Sequence, residues 1–209
     1  MTLPGRFITF EGPEGAGKST QIALLAERLR SAGEAVTMTR EPGGTPGGEA
    51  LRDVLLNPAA TWSPLAEALL MNAARDAHMQ TLILPALQRG ETVLCDRFAA
   101  STLAYQGDGV APETLAALEA AVVVRRPDLV LLLDLPVAEG LARAKARSTA
   151  DRFEGRRLDY HEGVRARFLE LAAKDPNMHC IDAAQPQDDV SAAILEVMRA
   201  HYPDWAALP

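Results

Sequence analysis

Residues Gly12 to Ser19 read GPEGAGKS, and Gly12, Gly17, Lys18 and Ser19 match the spacing G-x-x-x-x-G-K-[ST]. The chemistry of such a stretch is that of polyphosphate. Glycines at 12, 15 and 17 let successive backbone N–H groups turn inward around a β-phosphate, and the start of the following helix adds partial positive charge. Lys18 reaches β- and γ-oxygens, and the Ser19 hydroxyl is a ligand for Mg²⁺. Pro13 has no N–H to offer and belongs on the outer shoulder of the loop. Glu14 poses a question, because a carboxylate facing a triphosphate would repel it. Its side chain must point to water or to a different ligand across the loop.

Further along, CDRF at 95 to 98 sets Asp96 and Arg97 at the end of an apolar run. Asp96 could hold Mg²⁺ through its waters and Arg97 could grip a phosphate bidentately, or the two could form a structural pair. TREPGG supplies Arg40 and Glu41 before a helix that begins near Pro46 and carries Arg52. Met71 and Arg75 are four residues apart and share a helical face. Thr102, Tyr105 and Gln106 follow in STLAYQG. Arg143, Lys145, Arg147, Arg152, Arg156 and Arg157 crowd a short stretch. Such a run usually marks a solvated face; in an acidic chain with a phosphate loop it also fits a lid closing on polyphosphate.

The elements that must position these groups are legible as an alternation. Apolar runs at 6–11, 35–40, 92–96, 128–135 and 178–182 read as strands, most of them covered on both faces. Helical patterns occupy 18–32, 64–89, 112–124, 136–148, 159–173 and 187–201. This order predicts an α/β fold, a five-stranded parallel doubly wound sheet flanked by helices. Ligands of such sheets bind beyond the carboxyl ends of the strands, which here read Glu11, Arg40-Glu41, Asp96-Arg97, Asp134 and Asp182. The charged segment 147–158 interrupts the pattern and reads as a mobile lid inserted in a single domain spanning 1–209.

Composition narrows the partners. With 28 acidic and 21 basic side chains the net charge is −7, which argues against non-specific binding to nucleic acid or anionic membranes. No apolar run reaches membrane-spanning length and the N-terminus does not resemble a secretory signal, so a cytoplasmic protein is expected. Cys95 and Cys180 both sit in apolar runs and are expected to be buried reduced thiols. The four histidines show no metal-ligand spacing.

Taken together, FITFEGPEGAGKST, TREPGG, LRDVLL, ALLMNAARD, CDRFAASTLAYQG, RPDLVLLLDLP, ADRFEG and IDAAQP resemble the thymidylate kinase family, in the family's order and over nearly the whole chain. The resemblance implies a P-loop kinase fold and Mg²⁺-dependent transfer of the ATP γ-phosphoryl group to dTMP. It implies an ATP site over Gly12, Pro13, Glu14, Gly15, Ala16, Gly17, Lys18, Ser19 and Thr20, with Arg143. Glu14 then faces the acceptor's 3'-hydroxyl and the waters of a metal held by Ser19 and Asp96. Arg97, helped by Arg52, grips the acceptor phosphate, with Glu41 nearby. Arg75 bonds the thymine, Thr102 and Gln106 match base-contacting positions, and Tyr105 packs under the sugar. Met71 stands where the family usually has a stacking phenylalanine, a softer cover for the base. One branch of the family carries an arginine at the position of Gly15; the other, which this chain resembles, moves it to the lid, here Arg147 with Arg152 near it. A homodimer is also implied. The competing readings are a nucleotide-gated switch or partner-binding ATPase, and a kinase for another pyrimidine nucleotide. A guanine-reading N-K-x-D is absent from the sequence.

Overall fold

The computed structural model describes residues 4–147, 152, 153 and 155–206, with the side chain of Arg147 outside the description. Five parallel strands, β1 (Phe7–Glu11), β2 (Val36–Arg40), β3 (Thr92–Asp96), β4 (Leu129–Asp134) and β5 (Met178–Asp182), lie in the order β2-β3-β1-β4-β5. The chain winds to one side of β1 for β2 and β3 and to the other for β4 and β5. The register pairs Phe10 with Asp96 and Asp96 with Arg40, which brings the loops after β1, β2 and β3 to one edge of the sheet. That edge is where strand-end chemistry belongs.

The alternation of β-strand side chains divides the core. Ile8 and Phe10 face α1 (Lys18–Ser31) and α9 (Gln187–His201) in one apolar cluster with Leu25, Leu29, Ile194 and Met198. Phe7, Val93 and Cys95 face the opposite way, onto Met79, Ile83, Leu87 and Phe98. In the chain between α1 and α9 come α2 (Pro46–Leu56), α3 (Pro64–His78), α4 (Leu84–Gln88), α5 (Ala99–Gln106), α6 (Pro112–Val122), α7 (Val137–Arg147) and α8 (Leu158–Lys174). Thr45 and Ser63 cap α2 and α3 by accepting from Gly48 N and Ala66 N, and each is followed by proline at the first helical position.

Three departures from the sequence reading have physical causes. The expected helix over 64–89 is broken by a π-helical turn at Met79–Ile83, where Leu84 N donates back to Met79 O just before Pro85, which has no N–H to continue the ladder. The helix α5 was not legible because its start is organised from another strand: Glu11 accepts from Phe98 N at 2.9 Å and from Ser101 Oγ at 2.6 Å. Cys180 is exposed, not buried, because β5 is an edge strand; Cys95 in β3 is buried as expected. The charged segment lies between the end of α7 and the start of α8, and residues 148–151 and 154 of it fall outside the described residues.

The phosphate loop is packed directly on α7. A Cβ at Gly15, where φ is +72°, would meet Gly140 O, and a Cβ at Gly140 would meet Glu14 O. The helix α8 offers a contrast, since a Cβ at Gly163 meets nothing closer than Arg167 Nη1 at 3.4 Å. Gly163→Ala should therefore raise stability by about 0.5–1 kcal/mol through helix propensity. Gly140→Ala, the same change in another helix, should lower it by about 1–3 kcal/mol, because backbone must move. Urea unfolding of both variants checks this, and equal stabilisation of the two would contradict the packing described.

Candidate active site

The loop from Gly12 to Ser19 turns on three glycines in left-handed or otherwise positive φ, at +132°, +72° and +86° for Gly12, Gly15 and Gly17. It opens α1 at Lys18, and two clefts flank it. One, lined by Gly15, Ala16, Gly17, Thr20 and Gln21 together with Arg143 and residues 183–187, lies toward α7 and α9. The other, of about 270 Å³, is lined by Glu14 and the loop on one side and by Glu41, Arg52, Met71, Arg75, Arg97, Thr102, Tyr105 and Gln106 on the other. Gly15, Ala16 and Gly17 line both, so the loop is the wall between them.

Glu14 answers the question its position raised, because its carboxylate is turned toward the second cleft. Tyr105 donates to Oε1 at 2.6 Å, Arg97 Nη2 is 3.6 Å from the same oxygen, and His161 Nδ1 is 3.5 Å from Oε2. Burial alone would push the carboxyl upward, but His161, Arg97, Tyr105 and Lys18 outweigh it and bring the pKa down to about 2. Lys18 is buried and donates to Gly12 O at 3.0 Å and Pro13 O at 2.7 Å. Burial and the neighbouring Arg97 bring its pKa down to about 8, which leaves it a cation at neutral pH. Pro13 thus serves the loop through its carbonyl.

Arg97 follows β3 in a left-handed conformation with φ 68°, held by Arg97 N donating to Phe10 O and by Cys95 Sγ donating to Arg97 O. Its Nη1 donates to Gly12 O at 3.0 Å, and its guanidinium lies 5.0 Å over the Tyr105 ring. Ser19 Oγ donates to Asp96 Oδ2 at 2.6 Å. A hydroxyl and a carboxylate side by side at the loop are hard oxygen donors of the kind Mg²⁺ takes. Among the described residues no group of three or more His, Cys, Asp or Glu could hold a metal by itself.

Arg75 is buried and held from two sides. Nε donates to Glu41 Oε2 at 2.8 Å, Nη2 to Thr102 Oγ1 at 3.0 Å, and the guanidinium lies 5.1 Å over Phe98. The other Glu41 oxygen faces His78 Nδ1 at 3.0 Å. Arg52 Nη1 donates to Pro42 O, following a cis Glu41–Pro42 peptide. Arg143 lines the first cleft while bonded to Ala183 O and Glu139. Arg152 is not at the loop; it pairs with Glu67 on α3 at 2.7 Å and donates to Leu55 O. Of the other strand ends, Asp134 is engaged bidentately by Arg165, and Asp182 accepts from Ala184 N.

Sequence reasoning overlooked Phe153, which borders the second cleft edge-on to Tyr105, and the buried His161 behind Glu14. It also overlooked Glu67, although its spacing of four to Met71 and eight to Arg75 puts all three on one face of α3.

A phosphate loop, a second cleft across it and a left-handed arginine at the strand end define a P-loop kinase for small phosphorylated acceptors. The thymidylate kinase family model matches residues 10–194. A thymidylate kinase of Caulobacter vibrioides is 56% identical over 200 residues, covering 93% of this chain and 96% of the relative. One of Deinococcus radiodurans is 50% identical over 194 residues, covering 91% and 94%. The crystal structure of thymidylate kinase from Ehrlichia chaffeensis superposes with a TM-score of 0.77 at 31% identity, covering 93% of this chain and 98% of that one. The chain belongs to the thymidylate kinase family. It is a nucleoside monophosphate kinase, and the readings as a switch or partner-binding ATPase are not favoured.

The Glu14 carboxyl makes stability depend on pH with a definite sign. Its pKa is lowered by folding, so its contribution is complete above about pH 4.5 and is lost as pH falls toward 2. That contribution is of order 3 kcal/mol at most. The stability gap between the parent chain and Glu14→Gln, measured by urea unfolding, should hold nearly constant from pH 7 to about 5 and shrink from there to pH 3. A gap that stays constant down to pH 3 would contradict the assignment.

Proposed function

We propose that this chain transfers the γ-phosphoryl group of ATP to the phosphate of dTMP, giving dTDP and ADP, with ATP in the cleft bordered by Thr20 and Arg143 and dTMP in the cleft bordered by Met71 and Arg75. The observation that carries the placement is the shared loop: Gly15, Ala16 and Gly17 border both clefts. The acceptor phosphate, with a second pKa near about 6, is already an anionic nucleophile at neutral pH, and no general base is needed.

The chain's residues then supply position and charge. Lys18 exchanges its loop carbonyls for β- and γ-oxygens, and the backbone N–H groups of the loop, to which Pro13 contributes none, cradle the β-phosphate. Arg97, with Arg52, holds the acceptor phosphate in line, and Glu41 keeps Arg75 in place against the base. Thr102 and Gln106 border the base, Tyr105 packs under the sugar, and Glu14 accepts from the 3'-hydroxyl. Ser19 and, through water, Asp96 and Glu14 would hold Mg²⁺, which would supply positive charge to offset that of the phosphates. Residues 147–158 act as a lid on a single domain, with Arg147 bringing the cation that Gly15 lacks. Arg152 is a second candidate from the same segment. Phe153 and the pairing of Arg152 and Arg156 with Glu67 support a lid that also closes the acceptor cleft. Exposed Val54, Leu65 and Leu69 on the adjoining α2 and α3 support a homodimer. We place the protein in the cytoplasm, the compartment of free ATP and reduced thiols.

Coupled detection of ADP release tests the function: turnover should require dTMP, and dTMP should have a higher kcat/KM than dUMP, dCMP or dGMP. A purine acceptor preferred to dTMP would overturn the reading. Met71→Phe should tighten dTMP binding by about 1 kcal/mol through stacking, measured by titration calorimetry. Arg147→Ala should lower kcat by about 10³- to 10⁵-fold with ATP affinity nearly intact, measured under single-turnover conditions. An added Gly15→Arg should not restore the rate, because any side chain at Gly15 meets the backbone of Gly140.

A further inference from the structure

Of the three residues that α3 places in line, Met71 and Arg75 border the acceptor cleft, and Glu67 lies one turn behind them, 2% exposed. Its Oε1 accepts from Arg152 Nη1 at 2.7 Å and from Arg156 Nη2 at 2.6 Å, both from the lid segment. Its Oε2 accepts from Gln106 Nε2 at 3.2 Å. A carboxylate can only accept, so the Gln106 amide is oriented by chemistry: its NH₂ must face Glu67. Gln106 Oε1 is then left as an acceptor in a residue that lines the cleft, and it is buried with no hydrogen-bond partner in the protein. Unpaired among the described residues, a buried carbonyl oxygen of this kind is costly until a ligand supplies a donor.

We propose that Glu67 is the specificity-positioning residue of the acceptor cleft: pinned by Arg152 and Arg156 of the lid, it locks the Gln106 amide with Oε1 turned away from the carboxylate, so that the cleft selects a pyrimidine whose N3 carries hydrogen. The proposal rests on the reading of this cleft as the dTMP site. Thymine and uracil bring an N3–H to Oε1; cytosine brings a lone pair. Turning the amide over would suit cytosine, but it would set Gln106 Oε1 against Glu67 Oε2, two acceptors in a buried place. The carboxylate therefore forbids the alternative orientation, and the lid arginines bind the other oxygen of the same carboxylate. Base selection is in this way tied to the lid being in place.

Glu67→Gln is the direct test, because a glutamine can turn its own NH₂ toward Gln106 and so permit both amide orientations. Steady-state kcat/KM is measured for dTMP and dCMP with the parent chain, Glu67→Gln and Arg156→Gln. The expected result is a fall in the dTMP-to-dCMP ratio of about ten- to a hundredfold for Glu67→Gln, and a smaller fall for Arg156→Gln, where Arg152 still holds the carboxylate. A folded Glu67→Gln that loses rate equally on both substrates, keeping the ratio, overturns the proposal and leaves Glu67 a packing residue. If Glu67→Gln does not fold, an unchanged ratio in Arg156→Gln overturns it. A parent chain that does not phosphorylate dTMP overturns the acceptor reading itself, a result separate from any effect at Glu67.

Discussion

The rest of the site depends on the contact between Glu14 and Arg97 across the phosphate loop. Two polyanions must meet here, and a loop built to attract one of them carries a carboxylate. The geometry resolves the conflict by direction. Glu14 is turned to the second cleft and held there by Tyr105, Arg97 and His161, while Lys18, which borders the same cleft, is held by the carbonyls of Gly12 and Pro13. Arg97 balances the charge, and its left-handed backbone aims it at Gly12 O and at the cleft together. A side chain held at positive φ in a bulky residue costs energy, and strain of this kind is tolerated where the surroundings fix it. Here Phe10 O, Cys95 and Gly12 O do so.

Around that contact the chain builds two layers of support. Glu11, buried at the end of β1, fixes the start of α5 by accepting from Phe98 N and Ser101 Oγ, which carries Thr102, Tyr105 and Gln106 to the cleft. Burial pushes the Glu11 carboxyl up, and the two hydrogen bonds and Arg97 oppose that rise. Glu41 does the corresponding work for Arg75. The loop also rests on α7 through Gly15 and Gly140, the helix whose end leads into the charged segment before α8. A displacement of α7 would therefore move the loop.

The sequence was most informative where local chemistry acts alone. The glycine spacing of residues 12–19, the apolar runs of β1, β3 and β4 and the capped starts of α2 and α3 depend on neighbours in the chain, and they were legible. What was not legible depends on distant partners. The start of α5 is set by Glu11, some ninety residues away, and the orientation of Gln106 by Glu67. Nothing local to RFAASTL announces a helix. Arg152 read as a phosphate-directed lid cation, because sequence shows charge and not partners; the partner, Glu67, lies on another helix. Cys180 read as buried because an apolar run does not reveal that its strand lies at the edge of the sheet.

The claim that the loop is a wall between donor and acceptor is tested most directly by a crystal structure of the chain with dTMP and a non-hydrolysable ATP analogue. The account predicts the triphosphate against residues 12–20, the thymine between Met71 and Arg75, the 3'-hydroxyl at Glu14, and Arg97 moved from Gly12 O to the acceptor phosphate. A thymidine outside that cleft, or a Glu14 carboxylate turned to the donor side, would contradict it.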